Sequence, residues 1–104
     1  MTWKVVRYRA KPEQADENQR LIEAVFLELH TKRPTGLRYA AFRLPDGAFV
    51  HVVSAAQGAA PLNSFEAFRT FSGSVQERCR ELPQVGEAIV VGSYGMFAAD
   101  GSHG

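Results

Sequence analysis

Apolar side chains stand at both alternating positions along three segments of this chain, and that limits what it can fold into more than any other feature. In residues 3–9, Trp3 and Val5 alternate with Val6 and Tyr8. In residues 48–54, Phe49 and Val53 alternate with Val50 and Val52, and in residues 87–97, Ile89 and Val91 alternate with Val90 and Tyr94. A strand with one wet face alternates apolar with polar residues, so these segments read as strands covered on both sides.

The remaining elements follow from periodicity and punctuation. Leu21, Ile22, Val25, Phe26 and Leu29 recur at helical spacing, which predicts a helix over about 13–31. Pro12 suits its first turn, and Glu13, Asp16 and Glu17 place negative charge at the positive end of its dipole. Lys32 and Arg33 suit its other end, and Pro34-Thr35-Gly36 closes it. Residues 37–44 and 48–54 flank Pro45-Asp46-Gly47, a turn sequence that predicts an antiparallel hairpin. A second helix is expected with Asn63 or Ser64 as N-cap, with Phe68, Phe71, Val75, Cys79 and Leu82 as its buried stripe and Pro83 as its end. The order β-α-β-β-α-β predicts a ferredoxin-like α+β fold, a four-stranded antiparallel sheet with both helices on one face. Two helices cover one face, so the second face is expected to pair with the same face of another copy, as a homodimer. Residues 93–97 of the long last strand would then lie against the partner.

With 104 residues the chain has the size of one domain, expected over 1–97 with a loose tail over 98–104. The formal net charge of +1 gives no excess of positive charge for phosphates or anionic lipid, so neither nucleic acid nor a membrane is an expected partner. No apolar run approaches the roughly 20 residues of a spanning helix. A single cysteine excludes an internal disulfide and fits a reduced, cytoplasmic setting. His30, His51 and His103 fall on a helix, a strand and the tail, so no metal site is expected, and no cofactor motif is present.

Several groups of residues carry a family likeness: Val5-Val6-Arg7-Tyr8 with Lys11-Pro12 and Glu17-Asn18, Arg33-Pro34-Thr35-Gly36-Leu37-Arg38-Tyr39, and Asp46-Gly47-Ala48-Phe49-Val50-His51-Val52. Pro61-Leu62, Phe68 with Phe71, Arg78-Cys79 and Gly92-Ser93-Tyr94 extend it over nearly the whole chain to Phe97. On these residues the chain resembles the dimeric α+β barrel superfamily and, within it, the small bacterial proteins grouped with the antibiotic biosynthesis monooxygenases. The superfamily includes cofactor-independent oxygenases acting on polyketide aromatics, haem-degrading enzymes, muconolactone isomerase-like enzymes and many proteins of no assigned activity. No Asn, Trp and His constellation at the spacing of the haem-degrading members is recognised, which lowers that option.

His51 is the leading candidate for chemistry, because it interrupts an apolar strand and an imidazole there can take a proton near neutral pH. The alternative is a histidine bonded to backbone or to a neighbouring Tyr. Arg7, Arg38 and Arg43 lie on strands, where a guanidinium facing a cavity would attract a carboxylate or enolate; edge protection or a dimer contact is the plainer role. Tyr8, Tyr39 and Tyr94 could donate a phenolic hydrogen bond to a ligand or could be half-buried strand aromatics. Asn18 reads as a satisfied polar group, and Cys79 as a buried thiol with a raised pKa. Two functions remain. In one, a cofactor-free oxygenase or isomerase acts on a small aromatic or enolisable compound: His51 removes a proton, and Arg7 or Arg43 stabilises the oxyanion. In the other, the protein binds a small ligand, or serves as an accessory, without turnover. A His51 sealed under a helix would favour the second.

Overall fold

The computed structural model describes residues 2–96. Its elements are β1 (Thr2–Ala10), a 3-10 turn (Pro12–Gln14), α1 (Ala15–Lys32), β2 (Leu37–Arg43), β3 (Ala48–Ala55), a second 3-10 turn (Leu62–Ser64), α2 (Glu66–Gly73), α3 (Val75–Arg78) and β4 (Cys79–Ile89). The strands form one sheet in the order β2-β3-β1-β4, antiparallel at every pairing. This is the ferredoxin-like α+β arrangement expected from the order of elements. Tyr8, Phe49 and Cys79 from the sheet pack with Ile22 and Val25 of α1 and Phe71 of α2, so the helices cover one face.

The punctuation works through identifiable atoms. Arg33 closes α1 in the left-handed region at φ 52°, its N–H donating to Leu29 O at 2.7 Å, and Pro34 prevents continuation. In the β2–β3 hairpin Gly47 takes φ 87°, and the Asp46 carboxylate accepts the Ala48 N–H at 3.0 Å. Neither Asn63 nor Ser64 caps α2. Phe65 holds the cap position, and the acceptor comes from α1, where Glu28 takes the Ala67 N–H at 2.8 Å and the Lys32 ammonium at 2.6 Å. A carboxylate at a helix N-terminus meets the positive end of the dipole. That contact ties the two helices together.

The C-terminal third corrects the sequence reading. The second helix is interrupted after Gly73 and ends at Arg78, so Cys79, Leu82 and Pro83 belong to β4. Cys79 is buried as its place in the stripe required, but from a strand opposite Ala10. Pro83 does not end a helix. It lies on an edge strand at the irregularity where the β1–β4 register shifts between Arg7 and Arg9, a place where a missing N–H costs little. The strand expected over 87–97 ends at Ile89, and Val91 and Tyr94 beyond it are almost wholly exposed. Phe97 and the tail expected over 98–104 lie outside the described residues.

The face away from the helices carries Trp3, Val5 and Arg7 of β1, Val50 and Val52 of β3, and Ala40 and Phe42 of β2, in rows fixed by the pairings Val5–Val52–Ala40 and Arg7–Val50–Phe42. Trp3 is buried, and with Val5, Val52, Ala88, Ile89 and Val90 it lines a shallow depression of about 140 Å³. Phe42 is 48% exposed. This open face is apolar through most of its middle.

Candidate functional site

Asn18 lies on the buried stripe of α1, one turn before Ile22, and Arg78 lies on the inward side of the second helical region, after Phe71 and Val75. Both point polar groups into the layer between helices and sheet. His51 of β3 enters that layer from below, flanked by Tyr8 of β1 and Tyr39 of β2. Strand alternation places Tyr8 and His51 on the helix face, and Tyr39 packs against the same core.

These five side chains make one continuous hydrogen-bonded chain. Arg78 Nε donates to Asn18 Oδ1 at 2.9 Å, and Asn18 Nδ2 donates to Tyr8 Oη at 2.8 Å. Tyr8 Oη lies 2.9 Å from His51 Nε2, and Tyr39 Oη lies 2.6 Å from His51 Nδ1. The Arg78 guanidinium also donates to Ser74 Oγ at 2.7 Å and to the Phe71 carbonyl at 2.8 Å, and it lies over the Phe71 ring. Among the described residues no carboxylate forms an ion pair with Arg78. The charge is held by neutral acceptors and a ring face instead. Every deeply buried side-chain polar atom among the described residues has a partner.

Aromatic rings enclose the chain. Tyr8 stacks on Phe49 at 5.6 Å between centroids, Tyr39 on Phe26 at 4.8 Å, and Phe71 closes over His51 at 5.4 Å. Asn18 is fully buried, Tyr8 is 3% exposed and His51 5%. Loss of water sets the ionisation: burial pushes the His51 imidazolium down to about 4 and the Tyr8 phenol up to about 12, and it raises Tyr39 as well. His51 is therefore neutral at physiological pH. It is too weak a base to hold a proton there.

Of the other candidate residues, the structure brings none to His51. Arg7 stands on the opposite face of the sheet and is exposed. Arg43 is on the helix face but reaches outward, donating to Asp16 at 3.0 Å and Gln19 at 2.7 Å. Arg38 shares the open-face side of β2 with Ala40 and Phe42, and Tyr94 is 97% exposed beyond β4. Sequence reasoning did not place Arg78 in the site. The signal was there, since Arg78 follows Phe71 and Val75 at helical spacing on an apolar stripe.

Between α1 and the α2–α3 pair a cleft of about 440 Å³ opens to the surface, walled by Glu17, Arg20, Leu21, Ser74, Glu77 and Arg78. It has the size of a small-molecule site and reaches the Arg78 end of the chain. Among the described residues no group of three or more His, Cys, Asp or Glu side chains is placed to hold a metal ion, and no helix is long and apolar enough to cross a membrane.

No family model and no curated protein matches this chain. Solved structures do. One is an antibiotic biosynthesis monooxygenase, 18% identical with a TM-score of 0.66, covering 88% of this chain and 100% of that one. A Nitrosomonas europaea protein provisionally assigned to the same group is 14% identical with a TM-score of 0.70, at 88% and 100% coverage. A Mycobacterium tuberculosis protein is 13% identical with a TM-score of 0.67, at 88% and 96%. At such identities the likeness is one of fold.

Proposed function

We propose that this chain is a cofactor-independent monooxygenase-like or isomerase-like protein acting on a small aromatic or enolisable compound, with Tyr8, His51 and Tyr39 handling the proton together. The observation that carries this reading is the buried Arg78–Asn18–Tyr8–His51–Tyr39 chain in a layer that apolar side chains alone could fill. Buried polar networks add little to stability over apolar packing of the same volume, and departures from the plainest core collect at functional sites. Similar folds whose names include a monooxygenase activity support the same class. A neutral imidazole bonded through both nitrogens to phenols receives a proton on one side as it releases one on the other. This replaces the scheme of a lone His51 base assisted by Arg7 or Arg43.

A dimer built on the open face accompanies this reading. Its support is the apolar rows around Val52 and the exposed Val91 and Tyr94, which a second copy would cover, with residues 93–96 lying against the partner. Buried Cys79 suits a reducing compartment such as the cytoplasm.

A second reading, ligand binding without turnover, is favoured by the sealing of His51 under Phe71. A thermal-shift screen of aromatic acids, quinones, phenols and haem, followed by oxygen-uptake and isomerisation assays on each hit, separates the two. The enzyme reading expects turnover that His51→Gln and Tyr39→Phe reduce at least 100-fold with the fold and oligomer retained. Binding with no turnover, or turnover unchanged in both variants, removes it.

A further inference from the structure

The hydrogen-bonded chain has a direction, and counting donors fixes it. A guanidinium can only donate, so the Asn18 oxygen faces Arg78 and the Asn18 amide nitrogen faces Tyr8. Tyr8 Oη has then accepted one hydrogen bond and must still place its own hydrogen. Within this layer the acceptor in reach is His51 Nε2 at 2.9 Å. If Nε2 accepts, the imidazole hydrogen sits on Nδ1 and is donated to Tyr39 Oη at 2.6 Å. Of the two phenols, that of Tyr39 belongs to the less buried residue, so a hydroxyl hydrogen without a partner in the layer costs less there than at Tyr8. The reverse order would send two donors to Tyr8 and leave the hydroxyl hydrogen of a residue only 3% exposed without an acceptor.

We propose that Arg78, acting through Asn18, holds His51 as the Nδ1–H tautomer and so makes the chain a one-way proton donor with Tyr39 as its outlet. This deepens the enzyme reading and takes its role from it, but the tautomer is a property of the resting protein. In one delivery the Tyr39 O–H bond breaks toward the ligand. The Nδ1–H proton of His51 restores Tyr39, and the Tyr8 hydroxyl proton passes to Nε2. One proton leaves, no electron is transferred, and the negative charge comes to rest on Tyr8. There burial disfavours the phenolate, the Asn18 amide and the nearby Arg78 charge offset part of that cost, and the charge lasts only until the reset. The reset reverses these steps with a proton taken up at Tyr39. Arg78 and Asn18 are positioning residues in this scheme.

The test needs no substrate. In protein labelled with ¹⁵N-histidine at pH 7, long-range proton–nitrogen correlation reads which ring nitrogen of His51 carries hydrogen. The expected result is a protonated Nδ1 and a bare Nε2. Asn18→Asp keeps the shape and supplies an acceptor to both neighbours. Tyr8 then donates to Asp, Nε2–H donates to Tyr8, and the tautomer inverts. Arg78→Lys, which keeps a donor, should retain the wild-type tautomer. An Nε2–H tautomer in the wild-type protein, or no inversion in the folded Asn18→Asp variant, would overturn the proposal. Absence of turnover in wild-type protein that shows the expected tautomer would count against the enzyme reading alone.

Discussion

The two faces of the sheet start from similar strand sequences and end as different environments. Facing the helices, Tyr8 and His51 are buried with every hydrogen bond made, and rings exclude water from them. Facing away, Val5, Val50 and Val52 are only half-buried and Phe42 is 48% exposed. On the first face the polar groups are enclosed and paired, whereas on the second the apolar rows stay partly exposed. The first face is the one suited to moving a proton in a shielded medium. The second is the face on which the proposed dimer would form.

The hardest way to break the contrast is to unpair the helix face. Asn18→Leu removes an acceptor from a buried guanidinium and a donor from Tyr8, and it should cost about 4 kcal/mol in urea unfolding. Next comes pH. Below about 6.5 the unfolded chain binds a proton at His51 that the folded chain refuses until about pH 4, so stability falls as pH drops through that window. The full difference amounts to roughly 3 kcal/mol. His51→Gln should flatten the slope between about pH 6.5 and 5.5, before the carboxylates of Glu17, Glu28 and Asp46, all held below their ordinary values in the folded protein by their Arg or Lys partners, begin to take up protons in the unfolded chain.

On the other face, Val52→Asp would put a carboxylate into the seam of the proposed dimer. A loss of about 2 to 3 kcal/mol in association, roughly a 100-fold weaker dimer, is expected by sedimentation. A wild-type protein already monomeric at micromolar concentration would remove the dimer. Tyr39→Phe deletes one hydrogen bond at the edge of the layer and should cost about 1 kcal/mol. Arg43→Ala, on an exposed ion pair to Asp16, should change stability by less than about 0.5 kcal/mol.

Much of this division was legible in the sequence. Two of the three double-parity segments, those of β1 and β3, with the stripe of α1 and Pro45-Asp46-Gly47, are local signals that led to the sheet and its hairpin. His51 stood out as polar in an apolar run. Its partners did not, because Tyr8, Tyr39, Asn18 and Arg78 meet only through the strand register and the docking of two helices. Arg7 was misleading for the same reason: only the register shows that it and His51 take opposite faces. The second helix was read too long because Cys79 and Leu82 continue a helical spacing. Pairing with β1 outweighs that local preference once the helix breaks at Gly73.

The most direct test of the shielded helix face is a titration of the His51 ring protons by NMR from pH 8 to pH 3.5. A neutral member of a closed chain keeps its shifts constant to below pH 5 and protonates near pH 4, together with the loss of the fold's stability. A midpoint near 6.5 in the folded protein would mean that water reaches His51, and it would contradict the account.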